Sequence, residues 1–255
     1  MRYCLLALAA VFISGSVFAD EIYKIADENG YIDYCGCPEE RIANMREAGR
    51  AREIAKHIMH KRFSPEFIRS QFYQLNTTRG IIWQGDEIVQ YDYKPLSKDR
   101  FRHLFWVNTA NSGIVKLEIY DDENKLLFRG LNLNGADSPN HKFEYRQDRR
   151  QLQGGYFGFV NIHREMKGEK IERLLFTDGL SRFSVFRAPP EKGRRSSEKL
   201  VVYGNYIYSI TTDNSSYTVV GSVPFSFMED VVSKLDSNDE EFKSLIDEKK
   251  SSDKK

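Results

Sequence analysis

Apolar residues come in short runs through most of this chain, and polar or glycine-bearing stretches separate them. Ile81-Ile82-Trp83 and Ile88 to Tyr93 flank Gln84-Gly85-Asp86, and His103 to Val107 and Ile114 to Tyr120 flank Asn111-Ser112-Gly113. Lys125 to Leu133 follows the turn Asp121 to Asn124. Runs of that length, rich in β-branched and aromatic residues and bounded by turn residues, predict an antiparallel meander over 79–135. Gly135 to Asn140 reads as a linker. The polar stretch from His141 to Gln153 gives no assignment.

A second series of strands begins near Gly154. Tyr156 to Arg164 and Ile171 to Phe176 flank Lys167-Gly168, and Asp178-Gly179, suited to a two-residue hairpin turn, leads into Phe183 to Arg187. Leu200 to Tyr203 and Tyr206 to Ile210 flank Gly204-Asn205, and Tyr217 to Val223 follows Asp213-Asn214-Ser215. Pro224 then opens a helix with Phe227, Met228, Val231, Val232 and Leu235 at helical spacing. The charged tail, 236–255, reads as frayed or disordered past Ile246.

The chain before Arg79 has a different pattern. Ile22, Tyr23 and Ile25 precede Asp27-Glu28-Asn29-Gly30, and Tyr31, Ile32 and Tyr34 follow it, which predicts a hairpin. Pro38 starts a predicted helix reaching about Lys61, since proline suits a first helical turn. A second short helix is predicted from Pro65, with Phe67, Ile68, Phe72 and Leu75 as its apolar side.

Ahead of all this, Met1-Arg2-Tyr3-Cys4 leads into an apolar run and the small residues Val17 and Ala19. That is the layout of a cleaved export signal over 1–19, with the cut between Ala19 and Asp20. The run is roughly half the ~20 residues a membrane-spanning helix needs. Cys4 lies before the run rather than after it, so no lipid attachment site is expected. Of 38 Lys+Arg and 37 Asp+Glu, cleavage removes only Arg2 and leaves 37 of each sign. A balanced chain has no overall field to hold nucleic acid, so no nucleic-acid partner is expected.

Candidate chemistry is sparse. There is no nucleophile elbow, no His-Glu-x-x-His, no phosphate loop and no dinucleotide fingerprint. His57, His60, His103, His141 and His163 are scattered, so no enzymatic activity and no cofactor are expected. Cys35 and Cys37 are the two cysteines that survive cleavage. In an oxidising compartment they are disulfide candidates, within the chain or between two chains. With His57 and His60 they also make up a set of two thiolates and two imidazoles that suits zinc, although the spacing fits no usual finger. Lys192, Arg194 and Arg195 form a basic loop, either a solvated hairpin tip or a contact for an acidic partner or lipid headgroup.

Leu174-Leu175-Phe176-Thr177-Asp178-Gly179-Leu180-Ser181-Arg182-Phe183-Ser184-Val185-Phe186 resembles a hairpin of the C-terminal domain of the MucB/RseB family. Tyr217-Thr218-Val219-Val220-Gly221-Ser222-Val223-Pro224 resembles that domain's closing strand and helix entry. Leu152-Gln153-Gly154-Gly155-Tyr156 stands at its entry, without the usual proline. Asp99-Arg100-Phe101-Arg102, Leu104-Phe105-Trp106-Val107 and Ser112-Gly113-Ile114-Val115 are similar to the hairpin that ends the family's N-terminal domain, a half-open barrel of the LolA type. Too little chain precedes Arg79 for a full barrel. Tyr23-Lys24, Asp27-Glu28-Asn29-Gly30, Tyr34 and Pro38 resemble the DUF4124 segments of exported bacterial proteins, with Ile25 and Cys35 as departures.

The resemblance implies an α+β fold. A signal at 1–19 precedes a hairpin with helices at 20–78. A β segment left from a LolA-like half-barrel follows at 79–135, then a C-terminal antiparallel sheet capped by a helix at 141–235, then the tail. It also implies a periplasmic protein of an envelope-stress sigma-factor pathway. Such a protein binds the periplasmic region of a membrane anti-sigma factor and protects it from proteolysis. A lipid or lipoprotein ligand and homo-oligomers are further partners to consider. The alternative reading is an envelope structural or lipoprotein-handling protein, and a third is a redox or metal protein centred on the cysteines. Candidate partner-binding residues are Phe183, Phe186, Tyr203, Tyr206, Tyr208 and Tyr217, each of which also suits a core position.

Overall fold

The computed structural model describes residues 21–28, 30–35, 71–132, 158–167, 170–190, 197–237 and 239–240. Thirteen strands and one helix are assigned among them. The predicted helix from Pro38, and the second one from Pro65 up to residue 70, lie outside the described residues. So do the cleavage site at Ala19 and Asp20, Cys37, His57, His60 and the basic loop at Lys192 to Arg195.

Seven strands form the first sheet. These are β1 (Glu21–Asp27), β2 (Gly30–Cys35), β3 (Tyr73–Trp83), β4 (Asp86–Pro95), β5 (Arg102–Asn108), β6 (Ile114–Tyr120) and β7 (Leu126–Asn132), in the order β2-β1-β7-β6-β5-β4-β3. Every pairing is antiparallel, and β1 pairs with β7 from Glu21↔Asn132 to Ile25↔Phe128. The opening hairpin and the later meander therefore build one continuous sheet.

β3 begins earlier than the sequence pattern suggests. Phe72 and Leu75 fit a helical spacing, yet Tyr73 to Thr78 pair residue for residue with Pro95 to Gln90. Tyr, Leu and two Thr at strand positions suit a half-exposed ladder, and the long partner β4 supplies its hydrogen bonds. At the β3–β4 tip both Gln84 (φ 52°) and Gly85 (φ 91°) are left-handed, the conformation of a two-residue hairpin turn matched to strand twist.

The second sheet contains β8 (Val160–Lys167), β9 (Ile171–Thr177), β10 (Arg182–Ala188), β11 (Ser197–Val202), β12 (Asn205–Thr211) and β13 (Ser216–Gly221), in the order β11-β12-β13-β10-β9-β8. Two cross-strand rows line its inner face. Leu174, Val185, Val219 and Tyr208 form one, and Phe176, Phe183, Gly221 and Tyr206 form the other. Helix α1 (Phe225–Asp236) buries Phe227, Met228, Val231, Val232 and Leu235 against them. The architecture is thus α+β: mostly antiparallel sheet, in two open sheets, with one C-terminal helix.

Gly221 is required where it stands. A Cβ there would meet the Arg182 carbonyl oxygen and lie 2.6 Å from Phe183 Cα. The missing side chain lets the Phe183 ring stack on Phe176 (centroids 4.9 Å) and meet Phe227 edge-on (5.6 Å).

Candidate functional site at the junction of the two sheets

The core of the second sheet also takes in Ala26 and Leu127 from the first, and Phe101 just ahead of β5. Phe101 meets Tyr206 edge-on at 5.0 Å. Around this apolar seam, three hairpin turns present aspartate oxygens across the junction.

The first is Asp178. The sequence places Asp178-Gly179 at the tip of a two-residue turn, but Asp178 instead closes a four-residue loop between Thr177 and Arg182. Its Oδ1 accepts the N–H groups of Leu180 (2.9 Å) and Ser181 (2.7 Å), which holds the loop open by side-chain capping. The other oxygen faces the first sheet. It accepts the Tyr73 hydroxyl at 2.7 Å and Arg100 Nε at 2.9 Å. Both Asp178 and Arg100 are fully buried. Arg100 also pairs with Asp99, and its guanidinium carbon lies 4.2 Å from the Phe72 ring centre and 4.7 Å from that of Phe159. Planar contact with aromatic faces is how a buried guanidinium replaces part of its lost hydration.

Burial raises the Tyr73 hydroxyl well above its ordinary pKa, and the negative charge of Asp178 raises it further. Tyr73 is therefore a neutral donor. His103, on β5 beside this cluster, is pushed down to about 4, first by burial, with the charge of Asp178 opposing the shift. The imidazole is neutral at ordinary pH, and its Nδ1 is 3.1 Å from the Phe101 carbonyl oxygen.

The second aspartate repeats the device with the sheets exchanged. Asp121 Oδ1 accepts Glu123 N–H (3.0 Å) and Lys125 N–H (2.7 Å) in the β6–β7 turn, while Oδ2 accepts the Tyr206 hydroxyl at 2.9 Å. Burial and then this hydrogen bond raise the Tyr206 pKa. The third is Asp27, at the end of β1. Its Oδ1 accepts Tyr203 N–H at 3.2 Å, and the neighbouring Ala26 carbonyl accepts Gly204 N–H at 2.7 Å. The β11–β12 turn is Tyr203-Gly204 (φ 48° and 71°), one place earlier than the Gly204-Asn205 of the sequence reading. A left-handed tyrosine is uncommon, and these two hydrogen bonds from the first sheet hold it in place.

Of the candidate partner-binding residues, Phe183, Tyr206, Tyr208 and Tyr217 are buried in the core. Phe186 is half-buried beside the Arg173 guanidinium (5.7 Å), and Tyr203 is half-buried against the first sheet's core. In this state the first four present no surface to a partner. Of the cysteines, Cys35 ends β2 and is placed by its backbone alone. Among the described residues no cluster of three or more His, Cys, Asp or Glu suits a metal ion. The junction residues Tyr73, Arg100, Asp121 and Asp178 did not stand out in the sequence as a site. Their signals there were Asp at two turn positions and, for Arg100 and Asp178, a place in the stretches that resemble the family.

Comparison with known proteins fits this division of the chain. Residues 142–236 match the family model described as the MucB/RseB C-terminal domain, which falls on β8 to β13 and α1. No curated protein matches the chain. Among solved structures, the complex of Pseudomonas aeruginosa MucA/MucB is similar at a TM-score of 0.53 and 18% identity, covering 83% of this chain and 89% of that one. A MucB in complex with MucA(peri) is similar at 0.47 and 20%, with 63% of this chain and 65% of that chain covered, so this chain spans just under two thirds of it. A further MucB structure is similar at 0.47 and 18%, covering 83% and 88%. At these identities the likeness to the MucA/MucB complex is one of fold.

Proposed function

We propose that this chain, which carries a MucB/RseB C-terminal domain over residues 142–236, is a periplasmic regulatory protein of an envelope-stress sigma-factor pathway. It binds the periplasmic region of a membrane anti-sigma factor and shields that region from proteolysis. The domain match carries the reading, because it covers the six-stranded sheet and its helix as a unit. The fold shared with a MucA/MucB complex supports it.

The mechanism on this reading is an equilibrium rather than a reaction. Partner and stress ligand bind different states of the same protein, and each shifts the population only by its differential affinity. The junction is the element both would bias, since its hydrogen bonds and a shared apolar seam join the two sheets. The test mixes the chain from Asp20 onward with the periplasmic region of an anti-sigma factor from the same genome. Calorimetry is expected to give micromolar binding or tighter, about −8 kcal/mol, and the bound region is expected to resist a site-specific protease. Absence of binding to every such region in the genome refutes the proposal. Lipid co-purifying in place of a protein partner instead favours the envelope lipid-handling reading. Size-exclusion chromatography on the same sample reports any homo-oligomer.

A further inference from the structure

The four edge strands of the two sheets are not alike. β2 is six residues long and carries Asp33. β8 carries His163, Arg164, Glu165 and Lys167, and β11 carries Glu198 and Lys199. Short length and charge are the usual means by which natural sheets keep an edge from pairing with another chain. β3 has neither. It is 11 residues long, and Arg79 is its one charge. β4 is its strand neighbour, and Gln74 to Gly80 are all exposed. Two apolar side chains also point to water along it, Leu75 at 44% and Ile82 at 67% exposure. A register shift between Thr78 and Ile81, with Gly80 at φ 75°, bends the strand once without covering it.

The charges around β3 are graded along its length. Asp92 is held by Arg102 through two hydrogen bonds (2.9 and 2.8 Å), Asp99 pairs with Arg100, and Asp86 accepts the Asn108 amide. Arg79, Lys94 and Lys98 are exposed and have no ion-pair partner among the described residues. Lys94 stands opposite Gln74, at the start of β3. Two anions keep their charge at the far end, Asp86 opposite Trp83 and bonded to a neutral amide, and Glu87 opposite Ile82. Asp99 and the buried Asp178 share Arg100 and leave one negative charge between them. Three exposed cations against one excess negative charge leave the surroundings of Tyr73 to Arg79 net positive, and the Trp83 end of β3 is net negative.

We infer that β3 is an acceptor edge for an extended, acidic peptide segment of a protein partner, which adds to the sheet as an eighth strand. Alternate backbone groups of β3 supply the hydrogen bonds of such an addition, and side chains on either face supply its selectivity. Acidic side chains of the peptide lie along Gln74 to Arg79, beside Arg79, Lys94 and Lys98. Its apolar side chains cover Leu75 and Ile82. The inference does not depend on the partner proposed above, and its test uses a probe independent of that partner.

The probe is a labelled peptide of about ten residues that alternates valine with glutamate, enough for one added strand. The chain from Asp20 onward is titrated into it and followed by anisotropy. A counterpart with lysine for glutamate is expected to bind at least about tenfold more weakly, a difference of ~1.4 kcal/mol. Leu75→Asp and Ile82→Asp each change an exposed side chain, so the fold is retained, which circular dichroism checks. Each is expected to weaken the glutamate peptide about tenfold or more. Met166→Asp, at an exposed site on the β8 edge, is expected to leave binding unchanged. Equal binding of the two peptides overturns the inference, as does full affinity in both β3 variants. It is also overturned if the chain ignores the peptides and binds anionic lipid vesicles, or self-associates, through these same side chains.

Discussion

Replacing Asp178 with Asn tests the junction most directly. The change keeps Oδ1, so the N–H groups of Leu180 and Ser181 retain their acceptor and the loop keeps its local geometry. What it removes is the negative charge at Oδ2, which accepts Tyr73 at 2.7 Å and Arg100 at 2.9 Å. An amide nitrogen in that place would face two donors. Removing one partner of a buried ion pair leaves an uncompensated buried charge, which costs about 3–5 kcal/mol. Arg100 keeps Asp99, whose side chain is 17% exposed, so the lower end applies, about 3 kcal/mol. With a urea m-value of about 3 kcal/mol per molar, the midpoint falls by about 1 M. The melting temperature falls by about 6–12 °C for a chain of this size. Urea unfolding of the wild type and Asp178→Asn is the assay, with Arg100→Met and the double variant completing a cycle. The double variant is expected to be more stable than Asp178→Asn alone, since it removes the stranded charge. A midpoint shift under about 0.2 M in Asp178→Asn, or simple additivity in the cycle, refutes the claim that this pair binds the two sheets.

The reciprocal contact gives a smaller effect. Tyr206→Phe leaves the ring against Phe101 and Phe225 and deletes only the hydroxyl donated to Asp121, so urea unfolding is expected to show a loss of about 1.5–2 kcal/mol, with no change in the m-value. His103 sets an acid limit. Its folded pKa of about 4 lies below the unfolded 6.5, so as pH falls from 6.5 toward 4 the unfolded state takes up a proton the folded state refuses. Stability is therefore full above the unfolded pKa and declines below it, by about 2 kcal/mol at pH 5. His103→Gln is expected to flatten that slope in urea midpoints measured across this range.

Most strands and the closing helix were legible in the sequence. Their alternation of apolar and polar residues, and turn residues such as Gln84-Gly85, depend on contiguous chain. Phe227, Met228, Val231, Val232 and Leu235 likewise announced the buried face of α1, and the structure buries them. The early start of β3 was not legible, because Phe72 and Leu75 satisfy two periodicities at once. Pairing with β4 decided between them. The aromatic candidates illustrate the same limit. Composition marks Phe183 and Tyr217 as large apolar groups, but only the packed sheet reveals that they face inward.

The aspartates show where local information stops. That Asp121 and Asp178 belong to turns follows from their neighbours, because one carboxylate oxygen is satisfied by backbone N–H groups two to four residues ahead. The second oxygen of each finds a tyrosine hydroxyl 85 or 105 residues away in the chain. No local pattern encodes that meeting. It arises when Phe101, Leu127 and Ala26 join the core beneath α1, bringing the turns of one sheet against the tyrosines of the other. The sequence by itself determined most of the strands, the regions where the chain turns and the kind of domain at the C-terminal end, because those rest on residue type and short spacing. The tertiary structure alone decided which charges are buried together at the junction and which edge has no neighbouring strand among the described residues, because burial depends on what the rest of the chain covers.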